Sequence, residues 1–381
     1  MRDVVEIGIG REARRTYELS DVDIVPSRRT RSSKDVDTSW RIDAYDFGIP
    51  VMSHPTDAIG GPEFLAAFDR AGGLAVLNGE GLWARHADAE EKVAQVVAAA
   101  TAAGPFAEPR AVNRVLQDLH AAPIDVELLA GHVAAMRKEG MTVAVRVSPQ
   151  HCRELTPALV KAGIDLLVIQ GTLISAEYVT AEGEPLNLKD FIGGLDVPVI
   201  AGGVVDYHTA LHLMRTGAAG VIVGPGHTTT SEALGISVPM ATAIADAAAA
   251  RRDYLDETGG RYVHVIADGG LGTSGHISRA IACGADAVAL GAPLAQAKEA
   301  PGAGWFWPSV AAHPKFPRGT VFSVVDPDAS PADLPTLEQV LEGPTANPFG
   351  VENLIGGLRR TMAKCGYTTV KAFQRVQLAV R

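Results

Sequence analysis

A repeated pattern, in which a glycine is followed by a short apolar run, organises most of the chain. The segments 71–77, 162–169, 216–223 and 283–290 read AGGLAVL, AGIDLLVI, TGAAGVIV and CGADAVAL. In each segment the glycine is typical of the end of a helix, and the apolar run after it has the length of a fully buried parallel strand. The pattern therefore predicts four places where a helix ends and a buried strand begins.

Four further apolar runs fill the intervals, at 49–53, 142–147, 198–203 and 263–268. A helical pattern follows most of the resulting strands. Alternating strand and helix units in this number are typical of a (β/α)8 barrel. A doubly wound sheet is the alternative, but it rarely needs so many similar units, and no GxGxxG follows the first strand. The sequence thus predicts one TIM-barrel domain over residues 1–381.

Three segments depart from the regular spacing of the repeat. Residues 85–132 are rich in alanine and predict a helical insertion after strand 2. Residues 225–240 form a loop rich in glycine, threonine and serine after strand 6, at the face where such barrels carry their active sites. Residues 296–350 follow strand 8 with little periodicity. For this long excursion we expect either a lid over the same face or partial disorder.

Composition and charge narrow the class of protein. Of the 381 residues, 47% are hydrophobic and 20% are charged, which supplies a large core and excludes wholesale disorder. The net charge of -10 argues against nucleic acid as a general partner. No apolar run is long enough to span a membrane, and the charged start of the chain does not resemble a signal peptide. Three widely spaced cysteines fit a reducing compartment, so we expect a cytoplasmic protein.

The segment 263–295 predicts a phosphate-binding end of the barrel. Asp268-Gly269-Gly270 follows strand 7, where the glycines let the backbone turn and present N–H groups to an anion. Ser274 is the predicted N-cap of the next helix, and strand 8 ends at Gly291. In TIM barrels the loops after strands 7 and 8 commonly bind the phosphate of a substrate. His54, at the end of strand 1, lies at the same face and is a candidate substrate contact.

These residues also carry a family resemblance, which covers nearly the whole chain. TYELSDVDIVPSRRT and IPVMSHPTDA resemble N-terminal segments of the IMP dehydrogenase and GMP reductase family. IADGGLGTSGHISRAIACGADAVALGAPLA closely resembles the segment from strand 7 to strand 8, and GGLRRTMAKCGY resembles a segment near the C-terminus of the family. The chain has no room for the paired regulatory (CBS) modules that many IMP dehydrogenases insert after strand 2. It most resembles the short bacterial branch without them.

The resemblance implies a chemistry, a site and an assembly. The substrate would be a purine nucleotide 5′-monophosphate (IMP, GMP or XMP), oxidised or reduced at C2 with NAD or NADP through a covalent cysteine adduct. Asp268 would receive the ribose hydroxyls, Gly269, Gly270 and Gly291 would surround the phosphate, and Asp57 would contribute from the altered motif after strand 1. Members of the family form square homotetramers, so the resemblance also implies a homo-oligomer.

The chain departs from the family in the loop that supplies the cysteine nucleophile, where the family reads GPGSICTTR. Here the loop reads GPGHTTTSEALG, with Thr228 at the cysteine position and no cysteine. A threonine hydroxyl is a far weaker nucleophile at neutral pH and needs an adjacent base, for which His227 is the candidate. We therefore expect the chemistry in the loop from His227 to Thr230, with the Thr228 and Thr230 hydroxyls inside it.

Other family positions have changed as well. The cofactor-side aspartate is Gln170, followed by Gly171, and the serine after strand 8 is Ala292, so phosphate binding would rest on backbone N–H groups. His208 and His212 have the spacing of a helical metal pair but no third ligand, so no metal site is predicted.

Three kinds of function remain open from the sequence. The first is an enzyme of the family type with a rearranged loop. The second is an inactive purine-nucleotide-binding regulator or assembly partner, which the missing cysteine favours. The third is an FMN-dependent barrel oxidoreductase, because the phosphate of FMN can use the same strand 7 and strand 8 site.

Overall fold

The computed structural model describes residues 4–104, 109–179, 186–326 and 329–381. Eight parallel strands form one sheet in the order β1-β8-β7-β6-β5-β4-β3-β2. A parallel bridge between Met52 and Leu74 joins β1 to β2 and closes the sheet into a barrel. The predicted single (β/α)8 barrel is confirmed. The strands, numbered here within the barrel, are β1 (Val51–Ser53), β2 (Val76–Asn78), β3 (Ala144–Val147), β4 (Leu166–Gln170), β5 (Val199–Val204), β6 (Gly220–Val223), β7 (His264–Ala267) and β8 (Ala287–Leu290).

Helices separate the strands of the barrel and cover its outside. The described α-helices are α1 (Pro62–Arg70), α2 (Ala89–Ala103), α3 (Pro109–Leu119), α4 (Val126–Lys138), α5 (Cys152–Ala162), α6 (Leu188–Gly193), α7 (Tyr207–Met214), α8 (Thr230–Leu234), α9 (Met240–Glu257), α10 (Ser274–Ala282), α11 (Ala292–Ala295), α12 (Leu337–Glu342), α13 (Leu354–Lys364) and α14 (Val370–Phe373). One predicted boundary is wrong. Thr273, not Ser274, is the N-cap of α10, because the Thr273 hydroxyl accepts the hydrogen bond from the backbone N–H of His276 at 3.2 Å.

Apolar side chains fill the barrel and close its amino end. The inward-facing residues of the strands include Met52, Leu166, Ile200 and Ile266, which form one buried cluster. Trp40, Ile42 and Phe47 join this cluster from a hairpin that precedes β1. His264 lies at the same end, with its ring 6.0 Å from that of Trp40. Because apolar side chains fill the amino end, we expect the site at the carboxyl ends of the strands, where TIM barrels carry their active sites.

The segments that depart from the repeat lie around that end. Within 85–132 the structure has α2, α3 and the start of α4, and within 296–350 it has a short antiparallel pair and α12. The hydroxyl of Thr56, after β1, donates to the carbonyl of Trp307, which fastens the excursion to the barrel mouth. No helix in the described ranges is long and apolar enough to cross a membrane. The antiparallel pairs outside the barrel are Val4–Gly8 with Arg11–Arg14, Val22–Ile24 with Leu378–Val380, Trp40–Ile42 with Tyr45–Phe47, Glu177–Tyr178 with Leu186–Asn187, and Trp305–Phe306 with Phe322–Ser323.

A buried ion pair ties β8 to the outer helices. Asp286 and Arg251 are each 6% exposed, and Arg251 Nη1 lies 2.5 Å from the Asp286 carboxylate. The carboxylate also accepts hydrogen bonds from the Tyr262 hydroxyl at 2.6 Å and from the backbone N–H of Val265 at 2.9 Å. Burial raises the pKa of Asp286 and is the largest single cause. The charges of Arg251 and His264 and the hydrogen bonds from Tyr262 and Val265 together outweigh burial, and the net shift is downward. The pair is therefore ionised in the folded protein.

Arg251→Met is expected to lower the free energy of unfolding by about 3–5 kcal/mol, because it removes the buried partner of the Asp286 carboxylate and leaves only the exposed Lys371, 4.0 Å away. Urea unfolding at pH 7 measures the change. Since the pKa of Asp286 is lowered on folding, the contribution of this carboxylate is present above its unfolded pKa of about 3.9 and is lost as the pH falls below it. The matched control is Arg215→Met, which breaks an exposed pair with Glu257 and should leave stability nearly unchanged. Equal effects of the two variants would contradict this account.

Candidate active site

A cavity of about 410 Å³ opens at the carboxyl end of the barrel. Its walls come from the ends of β1, β7 and β8, from the loop after β6 and from the excursion after β8. The residues that line it are His54, His227, Asp268, Gly269, Gly270, Leu271, Gly272, His276, Ala289, Leu290, Gly291, Ala292, Pro293, Gln296, Phe306, Val324 and Val351. It thus brings together most of the substrate-binding residues that the sequence predicts.

The glycines after β7 and β8 give this cavity its shape. Gly269 and Gly270 have φ angles of +136° and +68°, which side chains rarely adopt, and they turn the chain into the amino end of α10. At Gly291, a Cβ atom would lie 2.6 Å from the Phe306 ring and 3.2 Å from Cβ of His54. The glycines thus bring the backbone and the amino end of α10 to the wall of the cavity, an arrangement in which backbone N–H groups can bind an anion.

Asp268 is the centre of a buried polar cluster at the mouth of the barrel. Its Oδ2 accepts hydrogen bonds from Nδ1 of His54 at 2.9 Å and from Nε2 of Gln170 at 2.7 Å. The three residues follow or end β7, β1 and β4, and they are only 3%, 8% and 5% exposed. Oδ1 of Asp268 accepts no hydrogen bond within the described residues. One carboxylate oxygen is thus committed to the protein, and the other remains for a ligand.

A second, smaller cavity of about 20 Å³ adjoins the polar cluster. His54, Gln170, Gly171 and Thr228 line it together with Arg146. Oε1 of Gln170 is buried and has no hydrogen-bond partner among the described residues. Because the Asp268 carboxylate can only accept, it fixes the Gln170 amide with Nε2 toward it and Oε1 away from it. A buried acceptor without a hydrogen-bond partner costs free energy. A ligand that donates a hydrogen bond to Oε1 of Gln170 would remove this cost.

Arg146 holds Gln170 in place from the neighbouring strand. Its Nε and Nη2 donate to the backbone carbonyl of Gln170 at 3.1 and 2.6 Å. Glu80 lies 3.9 Å from Arg146 and also accepts from the ring of His151 at 3.0 Å. Burial raises the pKa of Glu80. The charge of Arg146 and the hydrogen bonds from His151 and from the backbone N–H of Ser148 outweigh burial, and the pKa falls to about 2. The sequence analysis missed this support, although an arginine within the apolar run TVAVRV is a signal for it.

The loop after β6 carries the predicted catalytic residues. The hydroxyls of Thr228 and Thr230 are 2.8 Å apart and hydrogen-bonded, and Thr230 is fully buried at the start of α8. The ring of His227 stacks on Phe322 with 4.6 Å between centroids and meets Phe306 edge-on at 6.1 Å. Burial and the nearby His54 lower the pKa of His227. His227 as a whole is exposed and contacts two aromatic rings, while the Thr228 hydroxyl is paired with that of Thr230.

Two other predicted site residues have different surroundings. Asp57 is 1% exposed and lines neither cavity; it accepts from the backbone N–H of Leu82 at 2.8 Å and faces Nε2 of His120 at 3.2 Å. It thus joins the end of β1 to the helical insertion. Ala292 begins α11 and lines the large cavity. Within the ranges that the structure describes, no group of three or more His, Cys, Asp or Glu side chains could hold a metal ion.

The fold and the site define a class of protein: a TIM barrel with a glycine-lined cavity after β7 and β8 and a buried polar cluster at its mouth. Comparison with known proteins gives the family. The family model described as "IMP dehydrogenase / GMP reductase domain" matches residues 16–320. The chain therefore belongs to the IMP dehydrogenase and GMP reductase family, a family of oxidoreductases.

Individual relatives extend the match over the full length. An uncharacterized oxidoreductase of Mycolicibacterium smegmatis is 66% identical over 381 aligned positions, and the alignment covers 99% of this chain and 100% of that protein. One from Mycobacterium tuberculosis H37Rv is 64% identical with the same coverage. The crystal structure of an IMP dehydrogenase/GMP reductase-like protein from Corynebacterium glutamicum superposes with a TM-score of 0.93 at 62% identity, covering 100% of this chain and 98% of that one.

Proposed function

We propose that the protein binds a purine nucleotide 5′-monophosphate in the large cavity and oxidises or reduces it with NAD or NADP. The observation that carries the proposal is the combination of Asp268 with the glycines of the same cavity. Gly269, Gly270 and Gly291 offer backbone N–H groups to a phosphate, and Oδ1 of Asp268 is free to accept from a ribose hydroxyl. His276, in the first turn of α10, lines the same cavity and would add a ring N–H donor for the phosphate.

The small cavity fits the polar end of a nicotinamide cofactor. Its volume of about 20 Å³ leaves room for one small polar group, and the unpartnered Oε1 of Gln170 would accept a hydrogen bond from the N–H of a carboxamide. Gly171 contributes backbone next to this oxygen. Such a cofactor supplies the acceptor or donor of hydride, and the residues of this chain supply binding and orientation.

Thr228 is the proposed nucleophile of the reaction. It borders the small cavity together with Gln170, at the junction with the large one, and its hydroxyl is held by that of Thr230. Thr230 and His227 would then position the loop, Thr230 through this hydrogen bond and His227 through its stacking on Phe322. We also propose that the protein is cytoplasmic and forms a homotetramer. Light scattering of the purified protein would test the tetrameric state.

Titration calorimetry with IMP, GMP and XMP tests the nucleotide part of the proposal. We expect saturable binding of at least one of them, and at a ligand concentration of about 100 times Kd a stabilisation of about 2.7 kcal/mol. Absence of binding by all three would refute the proposal.

Gly291→Val is expected to weaken this binding at least about tenfold, because its side chain would project against Phe306 and His54 at the phosphate end. The same calorimetric titration measures the effect. The matched control is Gly131→Ala in the middle of α4, where a Cβ meets nothing within 4 Å; it should leave Kd unchanged and stabilise the protein by about 1 kcal/mol. An unchanged Kd for Gly291→Val would show that the phosphate does not bind beside Gly291.

A nucleotide-binding regulator without turnover is the second candidate. It is favoured by the threonine at the position where the family has its cysteine, because a threonine hydroxyl is the weaker nucleophile. Binding without any redox turnover would support this candidate.

A further inference from the structure

We propose that His54, oriented by Asp268, is the general base of this site and takes the proton from the Thr228 hydroxyl. The inference rests on the proposed function and deepens it, because it assigns the base on which a threonine nucleophile depends. It replaces the sequence neighbour of Thr228, His227, by a residue that is distant in sequence and lines the same small cavity as Thr228.

The bond between His54 and Asp268 fixes which ring nitrogen acts. A carboxylate only accepts hydrogen bonds, so Nδ1 of His54, 2.9 Å from Asp268 Oδ2, must carry the hydrogen. In the neutral ring the lone pair is then on Nε2, which makes no hydrogen bond within the described residues. A histidine held in this way by a buried aspartate is the arrangement that activates hydroxyl nucleophiles in hydrolases. The Nε2 lone pair of His54 is thus available to a proton donor.

The His54 ring lies in the wall of both cavities and is held there by its neighbours. His54 borders both cavities, and Thr228 borders the small one with it. The ring is 8% exposed and lies 6.4 Å from that of Phe306, which limits its motion. Asp268 is held in turn by Gln170 at 2.7 Å. Gln170 therefore holds Asp268, and Asp268 in turn holds the ring of His54 in its orientation.

His227 also lines the large cavity, but within the described ranges it lacks the carboxylate partner. Its ring stacks on Phe322 and meets Phe306 edge-on, and no carboxylate hydrogen-bonds to it among the described residues. Of the two histidines near Thr228, only His54 has a partner that selects its tautomer and stabilises the protonated ring.

The proton inventory of the oxidation balances with one base. As Oγ1 of Thr228 bonds to C2 of the purine, its proton passes to Nε2 of His54 and then to N3, which receives the electron pair of the C2–N3 double bond. A bound oxidised nicotinamide would accept the hydrogen of C2 together with its electron pair. N3 then releases its proton through His54 to solvent. Water, deprotonated by His54, then bonds to C2, and the C2–Oγ1 bond breaks as Thr228 regains a proton. The sum is nucleotide, water and oxidised nicotinamide giving oxidised nucleotide, reduced nicotinamide and a proton.

The test combines His54→Gln and His54→Ala with a control, His264→Gln, at the plugged amino end of the barrel. We expect His54→Gln to lower kcat by about 10²- to 10⁴-fold with less than about a threefold change in nucleotide Kd, and to remove the acid limb of the pH profile of kcat. Added imidazole should restore turnover to His54→Ala, because the truncation leaves space for it beside the large cavity. His264→Gln should keep the wild-type profile.

Each outcome decides the assignment. An unchanged kcat and pH profile in His54→Gln would overturn it. So would a loss of turnover that is explained by weaker nucleotide binding and that imidazole does not restore in His54→Ala. If the unaltered protein binds nucleotide but does not turn it over, the base assignment falls and nucleotide binding stands. If the unaltered protein neither binds nor turns over any nucleotide, the proposed function itself fails.

Discussion

Asp268→Asn is expected to lower turnover by about 10⁴-fold, the size of the effect when the aspartate of an Asp–His pair becomes an amide and the histidine takes the wrong tautomer. It is also expected to weaken nucleotide binding by about 10- to 150-fold, because a hydrogen bond to a charged group contributes about 1.5–3 kcal/mol. Both follow from the position of the carboxylate, which binds His54 through Oδ2 and leaves Oδ1 for the ligand. Steady-state kinetics measures the effect on turnover, and titration calorimetry measures the effect on nucleotide binding.

The matched control for this variant is Asp69→Asn. Asp69 is a partly buried carboxylate near the end of α1 that accepts from the backbone N–H of Thr142 at 3.3 Å and lines neither cavity. It should leave both kcat and Kd unchanged. A variant Asp268→Asn that binds nucleotide as tightly as the unaltered protein would show that the ribose does not meet this carboxylate.

Substitutions of Thr228 are expected to order turnover as cysteine above threonine, serine near threonine, and alanine below about 1% of the unaltered protein. The order follows from nucleophilicity, because a thiol is partly ionised at neutral pH and a hydroxyl is not. Thr228→Cys should raise kcat by about tenfold or more, since the side chain already borders the cavity with Gln170 and His54. Steady-state kinetics with saturating nucleotide gives the order.

Ser231→Ala is the control within the same loop, because Ser231 is exposed and lines neither cavity. It should turn over like the unaltered protein. Equal turnover in Thr228→Ala and the unaltered protein would remove Thr228 from the reaction, and a Thr228→Cys variant slower than the unaltered protein would contradict the ordering by nucleophilicity.

The barrel could be predicted from the sequence because its signal is local and repeated. Each helix that directly precedes a barrel strand ends at or near a glycine such as Gly163 or Gly284, and most of these strands are buried on both faces and read as apolar runs. The positions of Asp268, Gly269 and Gly270 could be predicted for the same reason, since they directly follow such a run. Boundaries are less certain. The start of α10 moved by one residue because Thr273 and Ser274 are both able to cap a helix, and only the folded chain selects one.

The partners within the site could not be predicted in this way. Phe306 and Phe322 come from the excursion after β8, which has little periodicity, so nothing local indicates that they face His227. The contact of His54 with Asp268 joins residues 214 positions apart. Sequence reasoning paired Thr228 with its neighbour His227, whereas the barrel brings the end of β1 to the end of β7. Contacts between strand ends depend on the closure of the sheet, which adjacency along the chain does not report.

The most direct test of the account is the change in nicotinamide absorbance when the purified protein is given IMP with NAD or NADP, and GMP with NADH or NADPH. The account predicts steady turnover with at least one of these pairs, dependent on both the nucleotide and the cofactor. No change in absorbance with any pair, in protein that is folded and binds the nucleotide, would contradict the redox activity.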